Sequence, residues 1–195
     1  MAIIRANNNT LSSVTALPFA TGGLVKLLNT TVTSSTANLT FNNTLITDTY
    51  DKYILEYTGL KPVTDNVLWG ARFSTDNGSS FITGSFIHGR DGTLFGTTSA
   101  GGAGSTKTDY TYPDYYHGND ANYPSNGTFI FEAFRDSNTY LTVRSDSCIE
   151  NSANNAYYRR EGWQIDNTSV VNYIEFSFSS GNIADGTFTF YGLTK

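Results

Sequence analysis

The chain has 195 residues, 12 basic and 17 acidic side chains and a net charge of −5 with no basic run, a balance that argues against nucleic-acid binding. No apolar run approaches the roughly 18 residues of a membrane span, and the single cysteine, Cys148, excludes an intrachain disulfide or a cysteine-cluster metal site. Charged residues make up 15 %, below the roughly 25 % of typical soluble domains, and Asn, Thr, Ser and Gly stand in their place, which suits packing into an assembly or exposure outside cells.

The length fits one domain, or one domain with an arm. Residues 1–28 read as an N-terminal docking arm. Ile3, Ile4, Leu11, Val14, Leu17 and Phe19 offer apolar side chains to bury, but no turn signal folds the segment on itself, and Gly22-Gly23 breaks its continuation. A plain N-terminal strand of the following domain is the alternative. The opening residues lack the charged and apolar regions of a secretory signal.

From about residue 37, apolar and polar residues alternate in short stretches, the period of strands with one buried face. The stretches are Leu39–Phe41, Tyr53–Tyr57, Val67–Phe73, Phe86–His88, Phe129–Ala133, Tyr140–Arg144 and Tyr157–Ile165. Residues 97–106 are rich in glycine and read as a flexible loop. In the last twenty-six residues, Ile174, Phe176 and Phe178 alternate with polar residues, and so do Phe188 and Phe190. The turn-forming stretch Ser179–Gly186 lies between them, which predicts a closing hairpin. No stretch keeps helical period and no fixed repeat occurs. The expected fold is all-β: an antiparallel β-sandwich of jelly-roll type over residues 29–195, with the extended N-terminal arm before it.

Ser74-Thr75-Asp76-Asn77-Gly78-Ser79-Ser80-Phe81 matches the Asp-box pattern of sugar-active propellers. Its physics is local, an aspartate bonding nearby N–H groups while glycine takes positive φ, and a single copy supports a turn rather than sugar chemistry. The polar connection from residue 109 to 124 gathers Tyr110, Tyr112, Asp114, Tyr115, Tyr116, His117 and Tyr123. Tyrosine offers a flat apolar face with a hydroxyl at its rim, so this loop is a candidate ligand site or a subunit interface.

Catalysis finds no support. The carboxylates Asp109, Asp114, Asp120, Glu132, Glu150 and Glu161 show no spacing that singles out a glycosidase pair, and no nucleophile elbow accompanies His88 and His117. No metal site is marked, although loop oxygens around Asp114 to Asp120 would suit calcium, and no cofactor is expected. His88 reads as a structural partner and Cys148 as a buried strand thiol. Tyr157-Tyr158-Arg159-Arg160 sets cations beside aromatics, a stacked surface or an interface.

Four stretches carry a family resemblance: Met1–Ala20, Tyr57–Asn66, Arg72–Phe81 and Phe176–Leu193. They resemble small virion structural proteins of marine tailed phages, of the cyanophage and pelagiphage kind, either tail-fibre-like or decorating the capsid. The likeness covers both ends and the first half of the chain, and the middle, including the tyrosine loop, departs from it. It implies a non-enzymatic virion component assembled in the bacterial host cytoplasm, with no catalytic residues to carry over. The expected function is a tail-associated appendage protein with a role in host-surface attachment. A capsid decoration protein and a carbohydrate-binding module are the alternatives. Expected partners are other virion proteins and further copies of the chain, a trimer above all, with a host-surface glycan as candidate ligand.

Overall fold

The computed structural model describes residues 23–84, 86–94, 99–107, 111, 116–122, 124–151, 153 and 155–194, the side chains of 90–107 excepted. Among the described residues the regular elements are all strands: β1 (Leu24–Val32), β2 (Leu39–Phe41), β3 (Tyr50–Pro62), β4 (Trp69–Ser74), β5 (Phe86–Leu94), β6 (Ser99–Lys107), β7 (Ser125–Glu132), β8 (Leu141–Glu150), β9 (Ala156–Ile165), β10 (Tyr173–Phe178) and β11 (Ile183–Thr194). They form an eight-stranded sheet in the order β1-β11-β3-β7-β8-β9-β5-β6 and a three-stranded sheet in the order β2-β10-β4. All pairings are antiparallel.

Alternation explains the packing. In β3, Tyr53, Leu55 and Tyr57 are buried while Glu56 points to water; in β8, Leu141, Val143, Ser145, Ser147 and Ile149 face inward while Arg144 and Cys148 face outward. The inward faces of the two sheets meet in an aromatic core. Phe190 stacks on Tyr53 with centroids 5.5 Å apart, and on Phe41 of the small sheet at 4.2 Å. Trp69 packs on Phe176 beside it and on Phe188 across from it. The chain is therefore an antiparallel β-sandwich, as the alternation predicts. Among the described residues, eleven strands divide eight and three between the two sheets.

Three expectations change at the level of elements. The closing hairpin does not form: β10 lies in the small sheet between β2 and β4, and β11 lies in the large sheet between β1 and β3. Their apolar faces meet across the core rather than side by side, and the short link between them turns the corner of the sandwich. Ser179 N–H donates to the Leu68 carbonyl and Val63 N–H to the Asn182 carbonyl, so the link is tied to the β3–β4 connection. From Ser99 on, the glycine-rich stretch expected as a loop forms β6, which pairs with β5 from Phe86↔Lys107 to Thr93↔Ser99 with a register shift between His88 and Arg90. The boundary at residue 28 falls inside β1, whose pairing with β11 begins at Leu24↔Leu193. The proposed arm residues Ile3, Ile4, Leu11, Val14, Leu17 and Phe19 lie outside the described residues.

Beyond the aromatic core the inner face of the large sheet turns polar. The buried Glu161 carboxylate sits between His88 Nε2 at 3.1 Å and Arg159 Nε at 3.4 Å, and the His88 ring stacks on Trp163 at 5.0 Å. A buried carboxylate needs such partners. His88 thus has the structural role its sequence context suggests.

Candidate functional site

The outward face of the large sheet carries a groove along β8. Strand register sets its rows. Ile54, Ile130, Arg144, Gly162 and Gly89 stand side by side on β3, β7, β8, β9 and β5. Thr128, Asp146 and Arg160 form the next row, and Asn126, Cys148 and Tyr158 the one after. Three adjoining pockets follow these rows, of about 480, 310 and 270 Å³. The first and second share Thr128 and Asp146; the second and third share Asn126 and Cys148. From Arg144 to Glu150 the trough runs roughly 20 Å at about 3.3 Å per residue.

Its shape comes from missing side chains. Gly89 and Gly162 pair with each other, and a Cβ at Gly89 would meet nothing within 4 Å. Glycine within a strand often marks a place where something approaches closely. The walls are polar and their charges are internally matched. Glu132 accepts from Lys52 at 2.6 Å and Arg144 at 3.2 Å, and the Lys52 hydrogen bond holds its carboxyl below the usual range. Arg160 donates to Asp146 at 3.4 Å and to the Tyr158 hydroxyl at 3.1 Å. The hydrogen bond between Tyr158 and Asp146 keeps the phenol protonated above its ordinary range. Tyr191 donates to Glu56 at 3.2 Å. The face thus offers hydroxyls, amides, an aromatic ring and matched ions, without a net field of one sign.

Of the loop residues expected to form a site, Tyr116 and His117 are among the described residues. Tyr110, Tyr112, Asp114, Tyr115 and Tyr123 lie outside the described residues. Tyr116 is exposed at 47 %, and His117 is 1 % exposed. His117 faces inward because its backbone forms a two-way bridge with Val67 at 2.7 and 3.2 Å, which presses the ring edge-on against Phe178. Its Nδ1 is 2.8 Å from the Ser125 hydroxyl. Burial pushes the imidazole down to about 3, so it is neutral and serves as a lock rather than a ligand-facing group. Earlier in the same loop, Thr111 N–H donates to the Ala71 carbonyl at 2.9 Å. Both points of attachment extend the edge of the small sheet.

The Asp-box behaves as its chemistry predicts. Asp76 Oδ1 accepts from Ser74 Oγ at 2.7 Å and Ser80 N–H at 2.8 Å, and its Oδ2 accepts from Ser80 Oγ at 2.6 Å. These bonds, the Ser80 hydroxyl first, lower the Asp76 carboxyl to about 2. Gly78, at φ 92°, lies under the Tyr173 ring, where a Cβ would come within 2.9 Å. The motif closes a turn and docks it on β10. Cys148, expected to be buried, is exposed on the groove face because it shares the phase of Arg144 and Asp146.

Tyr158 and Arg160 fall in the stretch already singled out in the sequence. Asn126, Thr128, Asp146, Gly89 and Gly162 do not, although each occupies the outward phase of its strand. No protein-family model, curated protein or solved structure matches the chain.

Proposed function

We propose that this protein is a non-enzymatic structural subunit of a tailed-phage virion, set on the tail, whose large sheet presents its outer groove to a host-surface glycan. The observation that carries the reading is the groove itself. It is long, open, lined by hydroxyl and amide groups with one flanking aromatic, and balanced in charge, a chemistry suited to a polyhydroxylated chain rather than to nucleic acid. The resemblance of the four quoted stretches supports the setting in a phage particle.

The test uses the full chain on an array of bacterial surface glycans. Gly89→Tyr fills the trough with a side chain whose Cβ has open space, so it leaves unfolding unchanged and lowers glycan retention at least tenfold. Tyr158→Ala weakens retention with an intact fold. Retention unaffected by both substitutions, or no retention by the parent chain, refutes the groove as the site. Antibody labelling of phage particles in electron micrographs is expected on the tail. Labelling of the head makes the protein a capsid decoration protein instead.

A further inference from the structure

Glu150 ends β8 on the outward phase it shares with Asp146 and Cys148, yet it is only 4 % exposed. Neither of its carboxylate oxygens has a hydrogen-bond partner. The segment 117–122 closes over this strand end. Gly118 N–H donates to the Glu150 carbonyl oxygen at 2.7 Å. Asn119 ties the segment to the β3–β4 connection, its N–H donating to Asp65 at 3.2 Å and its side-chain amide to the Val63 carbonyl at 3.2 Å. Asn122 of the same segment lines the third pocket of the groove, about 270 Å³, which Glu150 borders with Asn126 and Cys148.

A carboxyl sealed from water and from donors is costly to ionise, and the cost is absent while it carries a proton. Burial holds Glu150 above the ordinary glutamate value, and the charge of Asp120 in the covering segment pushes in the same direction. The other elements around it bring neutral groups: its register partner on β9 is Ala156, and β7 contributes Asn126 to the shared pocket. His117, at the start of the segment, is turned into the core against Phe178, and burial lowers it to about 3, so it stays neutral in the fold where a glutamate titrates. The closed arrangement therefore binds a proton that an open, hydrated Glu150 would release.

We propose that Glu150 is a proton-operated clasp at the end of the groove: protonated, it lets the segment 117–122 stay closed on β8, and ionised, it draws in water and releases the segment, lengthening the groove. Linkage sets the sign. A carboxyl that holds its proton more tightly when closed favours closure fully below the ordinary glutamate range, and closure is lost as pH rises through the raised value. This inference is independent of the glycan reading, since it is tested on the free protein without sugar.

Carboxyl carbon shifts and amide exchange of the full chain, with Cys148 kept reduced, are followed by NMR from about pH 4 to 8. Glu150 titrates above the ordinary glutamate value. Protection of the Gly118 amide falls about tenfold per pH unit above that midpoint, as release of one proton requires, while Val143 and Trp163 in the middle of the sheet keep theirs. Glu150→Gln, which is neutral throughout, keeps Gly118 protected at every pH. Asp120→Asn removes the repelling charge and moves the loss of protection to lower pH, which decides the matter should Glu150→Gln fail to fold. Gly118 protection that does not change with pH in the parent, or that falls alike in Glu150→Gln, overturns the proposal. A Glu150 midpoint at or below the ordinary glutamate value overturns it equally.

Discussion

His117 ties the fate of one buried ring to solution pH. In the unfolded chain its imidazole titrates near 6.5, whereas burial lowers it to about 3 in the fold. Between those values the unfolded state binds the extra proton, so stability is fully present above about pH 6.5 and is lost as pH falls toward 3, at no more than about 1.4 kcal/mol per pH unit. Chemical denaturation across that range should show the slope, and His117→Leu should reduce it by one proton. Ser125→Ala leaves Nδ1 without its partner and is expected to cost about 1–3 kcal/mol at neutral pH. A slope unchanged in His117→Leu would assign the acid response to other groups. Asp76 works at lower pH: its carboxyl is depressed, so its contribution is present above the ordinary aspartate range and fades as pH falls through that range toward 2. Asp76 was legible because all its partners lie within four residues, whereas the bridge from His117 to Val67 spans fifty positions and leaves no local trace.

Strands show the same division between local and distant information. Period-2 alternation identified β2, β3, β4, β5, β7, β8, β9, β10 and β11, because the buried side of each is built from its own residues. Alternation does not name the partner. β10 and β11 both bury phenylalanines and follow each other closely, so a hairpin fits their sequences, but Phe176 and Phe190 both pack on Phe41, from beside it and from across the core. β6 was missed for the opposite reason: its glycines give no burial pattern, and its backbone is defined by β5. A comparable dependence on a neighbour appears in β7. Gly127 stands between Tyr57 and Ser147 in register, and a Cβ there would lie 2.5 Å from the Tyr57 hydroxyl and 2.6 Å from the Asp146 carbonyl. The second of these atoms is backbone and cannot step aside. Gly127→Ala should therefore destabilise the protein by about 1–3 kcal/mol through overpacking, read as a lower urea midpoint with the same m-value. A neutral substitution would mean that β7 and β8 separate there at no cost.

At the scale of the molecule, among the described residues, the large sheet ends in β1 on one side and β6 on the other, each with a single strand partner. Such edges are templates for another chain unless they are covered. At β1 the exposed Leu24 and Val25 stand where the proposed arm enters the sheet. All eight β1–β11 pairs lie at or after Leu24, and Gly23 N–H donates to the Thr194 hydroxyl at 2.9 Å. The strand should therefore keep its bonds when residues 2–22 are removed. Such a truncated chain is expected to unfold at the same temperature as the parent, while light scattering reports loss of any oligomer and particles assembled with it lack the subunit. Those results together separate anchoring from folding. A truncated chain that still assembles would leave the bare edge of β1, rather than the arm, as the joint between copies, and charged substitutions at Leu24 and Val25 would then dissociate it. A truncated chain that unfolds early would make residues 2–22 part of the sandwich, returning them to the plain N-terminal strand that their sequence also allows.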